Sequence, residues 1–224
     1  MMYSYDLDDL EQENDLKRLQ ATGKYKLVHE WSYDTAQSLT ATSCLNSVES
    51  PTILTSSSDR YASCESLHLT PSRKVLILDA ISGKISRIVE SNHDRSIHCI
   101  ALPQPSVHAS LPQSQYNIFA TSSTDNVISL WDIRSPSIIF RFTEHVNRRE
   151  KVQCSFSPCL RYLTTGSEDR SVRVIDIQSG GRQINKLTGY QRDVVTSVAY
   201  HPIHPQLICG SYDGSIRCFT SSES

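Results

Sequence analysis

The feature that most constrains this chain is a repeat. Asp125, Asp169 and Asp213 lie 44 residues apart, and each sits in the same local grammar. Phe119-Ala-Thr-Ser-Ser-Thr-Asp125-Asn-Val-Ile-Ser-Leu-Trp131-Asp132 aligns with Leu163-Thr-Thr-Gly-Ser-Glu-Asp169-Arg-Ser-Val-Arg-Val-Ile175-Asp176, and again with Ile208-Cys-Gly-Ser-Tyr-Asp213-Gly-Ser-Ile-Arg-Cys-Phe219. A period of about 40 to 45 residues is that of a four-stranded blade. A fourth copy, Ile53 to Arg60, should run directly into Lys74 to Asp79, but Tyr61 to Arg73 intervene. A tight hairpin turn holds only a few residues, so this insert is either an accommodated loop or a product of altered splicing. Pro103 to Gln115, rich in Pro, Ser and Gln, reads as a long surface loop.

Each copy runs through an alternating strand, a turn such as Ser157-Pro158 or His201-Pro202, a small-residue strand, the Asp turn, a β-branched strand and an outer strand. The expectation is all-β throughout. Lys24 to Trp31 reads as another outer strand, and the one helical candidate is Asp6 to Leu19. Residues 1–23 form an acidic tail, helical or disordered, and 221–224 a short tail.

These recurring residues resemble the WD-repeat β-propeller family over about Lys24 to Phe219, because the Ser-x-Asp turn, the apolar strand and the Trp-Asp place recur together. Trp131-Asp132 is the one complete dipeptide; Leu78-Asp79, Ile175-Asp176 and Phe219-Thr220 hold the other places. The Gly-His place reads Asn92-His93, Glu144-His145 and Gly189-Tyr190. The resemblance implies four blades, at about 24–91, 92–143, 144–187 and 188–220. It also implies a structural network in which His93, Ser123, Asp125 and Trp131 bond together, with Asp132, Asp169 and Asp213 in supporting places. Members mostly have seven blades, so four imply an arc of a larger ring or one completed by another chain, with 24–31 able to close the last blade. The implied role is a non-catalytic scaffold for other proteins.

Charge and composition narrow the partners. The formal net charge is −2, without the basic excess that nucleic-acid binding requires. Within residues 1–22 six acids stand against Lys17 and Arg18, so the body is nearly neutral. Apolar runs such as Val75 to Leu78 are far short of the roughly 20 residues that span a bilayer, and no secretory pattern opens the chain. The expectation is an intracellular, cytoplasmic protein that binds neither membrane nor nucleic acid. Seven cysteines without a CxxC pair read as buried reduced thiols.

No cofactor, catalytic or metal site is expected. Ser, His and Asp residues that recur with the architectural period hold the architecture rather than form a nucleophilic set. His201 and His204 lie on a Pro-broken turn with no further zinc ligands nearby, and no Gly-rich phosphate pattern occurs. An enzyme would need non-repeating polar groups converging on the central channel. A truncated isoform without stable function of its own is the other alternative, motivated by the broken first hairpin. The loops suggest a candidate partner face: Arg60, Arg95, Arg148, Arg149, Arg170 and Arg192 all fall at the Asp turns or the connections into first strands. Arginine forks suit acidic or phosphorylated peptides, although Asp94, Glu150, Glu168 and Asp193 lie beside them and mixed turn charge is often plain solvation.

Overall fold

The computed structural model describes residues 37–45, 52–59, 74–104, 112–135, 137–189 and 191–220, all within the compact unit Tyr33–Ser224. The Asp6 to Leu19 and Lys24 to Trp31 segments, Arg60, the Tyr61 to Arg73 insert and the tail 221–224 lie outside the described residues.

Four antiparallel sheets follow one another in chain order. The first contains β1 (Gln37–Leu45), β2 (Thr52–Asp59), β3 (Lys74–Asp79) and β4 (Lys84–Glu90). The second contains β5 (Ile97–Ala101), β6 (Ile118–Ser123), β7 (Val127–Asp132) and β8 (Ile138–Phe142). The third contains β9 (Cys154–Phe156), β10 (Tyr162–Thr165), β11 (Val172–Asp176) and β12 (Arg182–Leu187). The last has three strands, β13 (Val195–Tyr200), β14 (Gln206–Ser211) and β15 (Ile216–Thr220). The first strands meet their neighbours across the sheets: β5 packs on β1 and β2, β9 on β5, and β13 on β9 and β10. This is the blade order of a β-propeller, with each sheet's first strand innermost.

Register shows how closely the blades repeat. Ile53 pairs with Leu78, Phe119 with Trp131, Leu163 with Ile175 and Leu207 with Phe219. The first pair keeps its register although the insert separates β2 from β3. Neighbouring residues in a strand face opposite sides, so a sheet between two others buries both faces. Residues 119–123 on β6 and 127–131 on β7 are accordingly all buried. Leu54 and Ile77 of the first sheet form one core with Phe119 and Trp131 of the second. Ala120 and Leu130 form the next with Leu163 and Ile175 of the third. Val172 joins Val195, Val198 and Leu207 in the last gap. Gly166 permits close approach there, since a Cβ at this place would lie 2.1 Å from the Val195 carbonyl oxygen.

Two expectations need correction. The 103–115 segment is not plain loop to its end, because Gln113–Tyr116 forms a 3-10 turn and Tyr116 is buried in the core between the second and third sheets. The cysteines are not generally buried: Cys154 and Cys209 are, but Cys44, Cys159 and Cys218 are exposed. Period-two alternation explains Cys218, which sits on the uncovered side of β15 with Ile216, itself 79% exposed.

Candidate functional site

The Asp turns are left-handed at the residue after the acid. Asn126 (φ 63°), Arg170 (φ 63°) and Gly214 (φ 77°) occupy this place in three successive blades. Only Gly adopts it without cost, and Asn with little, so Arg170 is held there by the hairpin around it.

In the second blade the turn acid ends a buried relay. Trp131 Nε1–H donates to Thr121 Oγ1 at 2.9 Å, Thr121 Oγ1 lies 2.8 Å from His93 Nε2, and His93 Nδ1 lies 3.0 Å from Asp125 Oδ2. A carboxylate only accepts, so the Nδ1–H tautomer fits: the threonine hydroxyl donates to Nε2 and the imidazole to Asp125. Asp125 also accepts the N–H groups of Asp94 (2.8 Å) and Val127 (3.0 Å). Burial opposes its ionisation, but the His93 bond and these amides outweigh that and hold its pKa below the usual range. Ser123, expected in the network, instead donates to the Arg95 carbonyl at 3.0 Å, and Thr121 takes its place. Thr55, Thr121 and Thr165 all stand four residues before their Asp, a signal the sequence carried. Asp132 lies outside the relay and binds Arg134 at 3.0 Å.

The third blade departs from this. Asp169 binds Arg173, Lys186 (3.0 Å) and Ser171. Against the cost of burial, bonds from Ser167, Ser171, Lys186 and Arg173 hold it well below the usual carboxylate range. Arg173 faces Thr165 across the ladder where Ser129 faces Thr121. His145 stacks on Phe142 with no hydrogen-bond partner among the described residues, and burial with the nearby Arg173 charge pushes it down to about 4. In the last blade Asp213 accepts from Arg192 N–H (3.0 Å) and Ser215 N–H (2.8 Å). Asp94 N–H caps Asp125 in the same way, which places Gln191 where His93 stands. The Gly189-Tyr190 alignment is therefore one residue early, and Gln191 Nε2 donates to Cys209 Sγ at 3.0 Å.

The arginines sit at the Asp turns and first-strand connections of three blades. Arg95, Arg148, Arg149, Arg170 and Arg192 are exposed, and none is in an ion pair with a described residue. Arg95 Nη1 donates to the Arg148 carbonyl at 2.8 Å. The amides of Arg148, Arg149 and Glu150 all bind Glu168 Oε1, and Tyr212 Oη donates to Glu150 Oε2 at 3.0 Å. Glu168 and Tyr212 organise this end, a role sequence reasoning missed. Both occupy the variable place just before the turn acid, where the second blade has Thr124.

At the opposite end the first strands open on a cleft of about 710 Å³, lined by residues such as Leu102, Phe156, Val198, Tyr200 and Pro202. Burial pushes the Tyr200 hydroxyl up to about 12 despite its bond to Thr164. Among the described residues no cluster of three or more side chains is placed to ligate a metal, and no helix is long and apolar enough to cross a membrane.

Comparison with known proteins matches the family described as WD domain, G-beta repeat, over residues 136–176 and 181–220. Each matched stretch begins with the outer strand of one sheet and ends with the third strand of the next, so a repeat ties two sheets together. The chain is 25% identical over 136 residues to nuclear distribution protein PAC1 of Ajellomyces capsulatus (strain H143), covering 56% of this chain and 29% of that protein. It is 34% identical over 107 residues to the WD repeat domain-containing protein 83 homolog of Dictyostelium discoideum (47% and 32%). An uncharacterized WD repeat-containing protein of Schizosaccharomyces pombe is 28% identical over 145 residues (65% and 35%). The chain spans about a third of the length of these curated relatives.

Proposed function

We propose that this chain, which carries WD repeats, is a non-catalytic scaffold that binds other proteins at the end bearing its Asp turns, with an acidic or phosphorylated peptide as ligand. One observation carries this reading. Five exposed arginines from three blades lie at one end, where the Arg95–Arg148 and Tyr212–Glu150 bonds join neighbouring blades, and none of their guanidiniums is in an ion pair with a described residue. Rigid sheets hold the loops, and a planar guanidinium pairs with carboxylate or phosphate in fixed geometry. Among the described residues lining the cleft at the other end, Tyr200 and the buried Cys154 are both pushed toward their protonated forms, which suits neither to act as a general base. This supports a binding rather than a catalytic role.

A second reading has its own support. The last sheet has three strands among the described residues, and its Ile208, Ile216 and Cys218 side is exposed, whereas the equivalent side of the second sheet is buried. We read that face as one covered by another chain or by further repeats, in which case a shorter form lacks stable function alone. The C-terminal half also resembles the end of WD repeat-containing protein 27, through Phe156-Ser-Pro-Cys159, Glu168-Asp169-Arg170 and Asp193 to Pro202. That resemblance adds a scaffold role and no reaction. A cytoplasmic location without nucleic-acid or membrane partners completes the proposal.

The test reverses Arg148, Arg149 and Arg192 to Glu and compares partner recovery from cell extract with the parent, after equal folding is established. Loss of partners, with recovery from the parent weakening as salt rises, supports the arginine end. Unchanged recovery of every partner moves the surface to the opposite end.

A further inference from the structure

We propose that the backbone of Arg148–Glu150 is a binding cradle for a phosphate or carboxylate group of a partner, with Glu168 as its displaceable resident; this rests on the reading of the Asp-turn end as the binding end. Three consecutive amides converge on one oxygen: Arg148, Arg149 and Glu150 N–H donate to Glu168 Oε1 at 2.6, 2.6 and 2.9 Å. Successive inward-facing amides make an anion-binding concavity. The resident fills it incompletely. One oxygen takes all three donors, Oε2 bonds no described residue, and the side chain is only half-buried. A phosphate offers three acceptor oxygens and up to twice the charge. The exposed Arg148 and Arg149 side chains rise from the cradle itself, and the Arg95 guanidinium is anchored at the Arg148 carbonyl.

The cradle is a departure from the repeat. Ile100, Cys154 and Val198 occupy one register place, opposite Thr121, Thr165 and Cys209. From His93 to Ile100 and from Gln191 to Val198 is seven residues, but from His145 to Cys154 is nine. Two extra residues thus enter the connection that forms the cradle. In the second and last blades the residue after the histidine place caps the turn acid with its own amide. In the third, Val146 N–H goes to Ser167 Oγ instead, and the lengthened loop turns its amides on Glu168. Groups that hold the architecture recur with its period. This loop recurs in neither the second nor the last blade, where Thr124 and Tyr212 stand at the place from which Glu168 enters it.

The experiment follows thermal unfolding of the full chain in rising inorganic phosphate, against chloride at matched ionic strength. It compares the parent, Glu168→Ala, Glu168→Gln, and Glu168→Ala combined with Arg148→Gln and Arg149→Gln. Emptying the cradle should lower the phosphate concentration for half-maximal stabilisation by about tenfold in Glu168→Ala, and less in Glu168→Gln, relative to the parent. Removing the two guanidiniums should reverse the gain. A Glu168→Ala variant that responds to phosphate no more than to chloride overturns the proposal. Where that variant fails to fold, Glu168→Gln decides: half-saturation equal to the parent's overturns it equally. Loss of partners on arginine reversal without a phosphate response would sink the cradle alone. A phosphate response with unchanged partner recovery would sink the arginine end alone.

Discussion

The second and third blades share a strand order, the register of their central hairpin and a turn acid, yet they satisfy that acid by different chemistry. Asp125 is reached through His93, Thr121 and Trp131, a relay of side-chain hydrogen bonds ending on a carboxylate. Asp169 is reached by Arg173 and Lys186, and His145 is left buried and stacked on Phe142. The difference teaches that the turn needs a satisfied carboxylate rather than a particular histidine. Arg173, where the second blade has Ser129, supplies one partner of the acid, and Ile175, where the second blade has Trp131, leaves out the relay's indole donor. This leaves a cost elsewhere, because a buried imidazole without a partner resists gaining charge.

Five substitutions, read as three effects, probe this contrast. The largest effect is expected from Trp131→Ala, which removes a fully buried aromatic and the relay's first donor, and should cost roughly 3–5 kcal/mol. Ile175→Ala, in the same register place, loses packing alone and should cost less. Denaturant unfolding measures both, and equal losses would erase the distinction between the blades.

The second effect appears with pH. Folded His145 takes up its proton near 4, whereas an unfolded histidine does so near 6.5. The unfolded chain therefore binds more protons between those values, so stability falls as pH drops from about 6.5 toward 4, by at most on the order of 3 kcal/mol. Burial also lowers the pKa of His98, which adds a contribution of the same sign. His145→Phe should flatten most of the slope in this window. An unchanged slope would show that His145 is not the group responsible.

The smallest effect concerns the left-handed turn residue. Arg170→Gly should stabilise by about 0.5–1 kcal/mol by relieving its positive φ. Asn126→Gly should not, since Asn126 Oδ1 accepts the Asn147 amide at 2.7 Å. Thermal melts of the two variants decide, and a destabilised Arg170→Gly would mean that the guanidinium holds the turn.

Period and alternation made the blades legible. The 44-residue spacing located the Asp turns, and the aligned places Phe119/Trp131 and Leu163/Ile175 are ladder partners in the fold. What the repeat could not show was which side chain answers which. Ser123 and Thr121 lie on the same strand two residues apart, and only the register sets Thr121 beside the indole and Ser123 against the Arg95 carbonyl. Gln191 was masked by the neighbouring Gly189-Tyr190 pair, and its position emerges only from the amide that caps Asp213. Glu168 reads in sequence as one more turn acid. Its role depends on a lengthened loop folding back on it, a non-local contact that no local pattern encodes.

The central claim is that partners engage the Asp-turn end rather than the cleft formed by the far ends of the first strands. Its most direct test places a photocrosslinking residue at Arg149 in one variant and at Pro202 in another, then compares the adducts formed with partners in extract. The account predicts adducts from position 149 that are competed by a phosphorylated peptide, with few or none from position 202. Adducts confined to position 202 would contradict it.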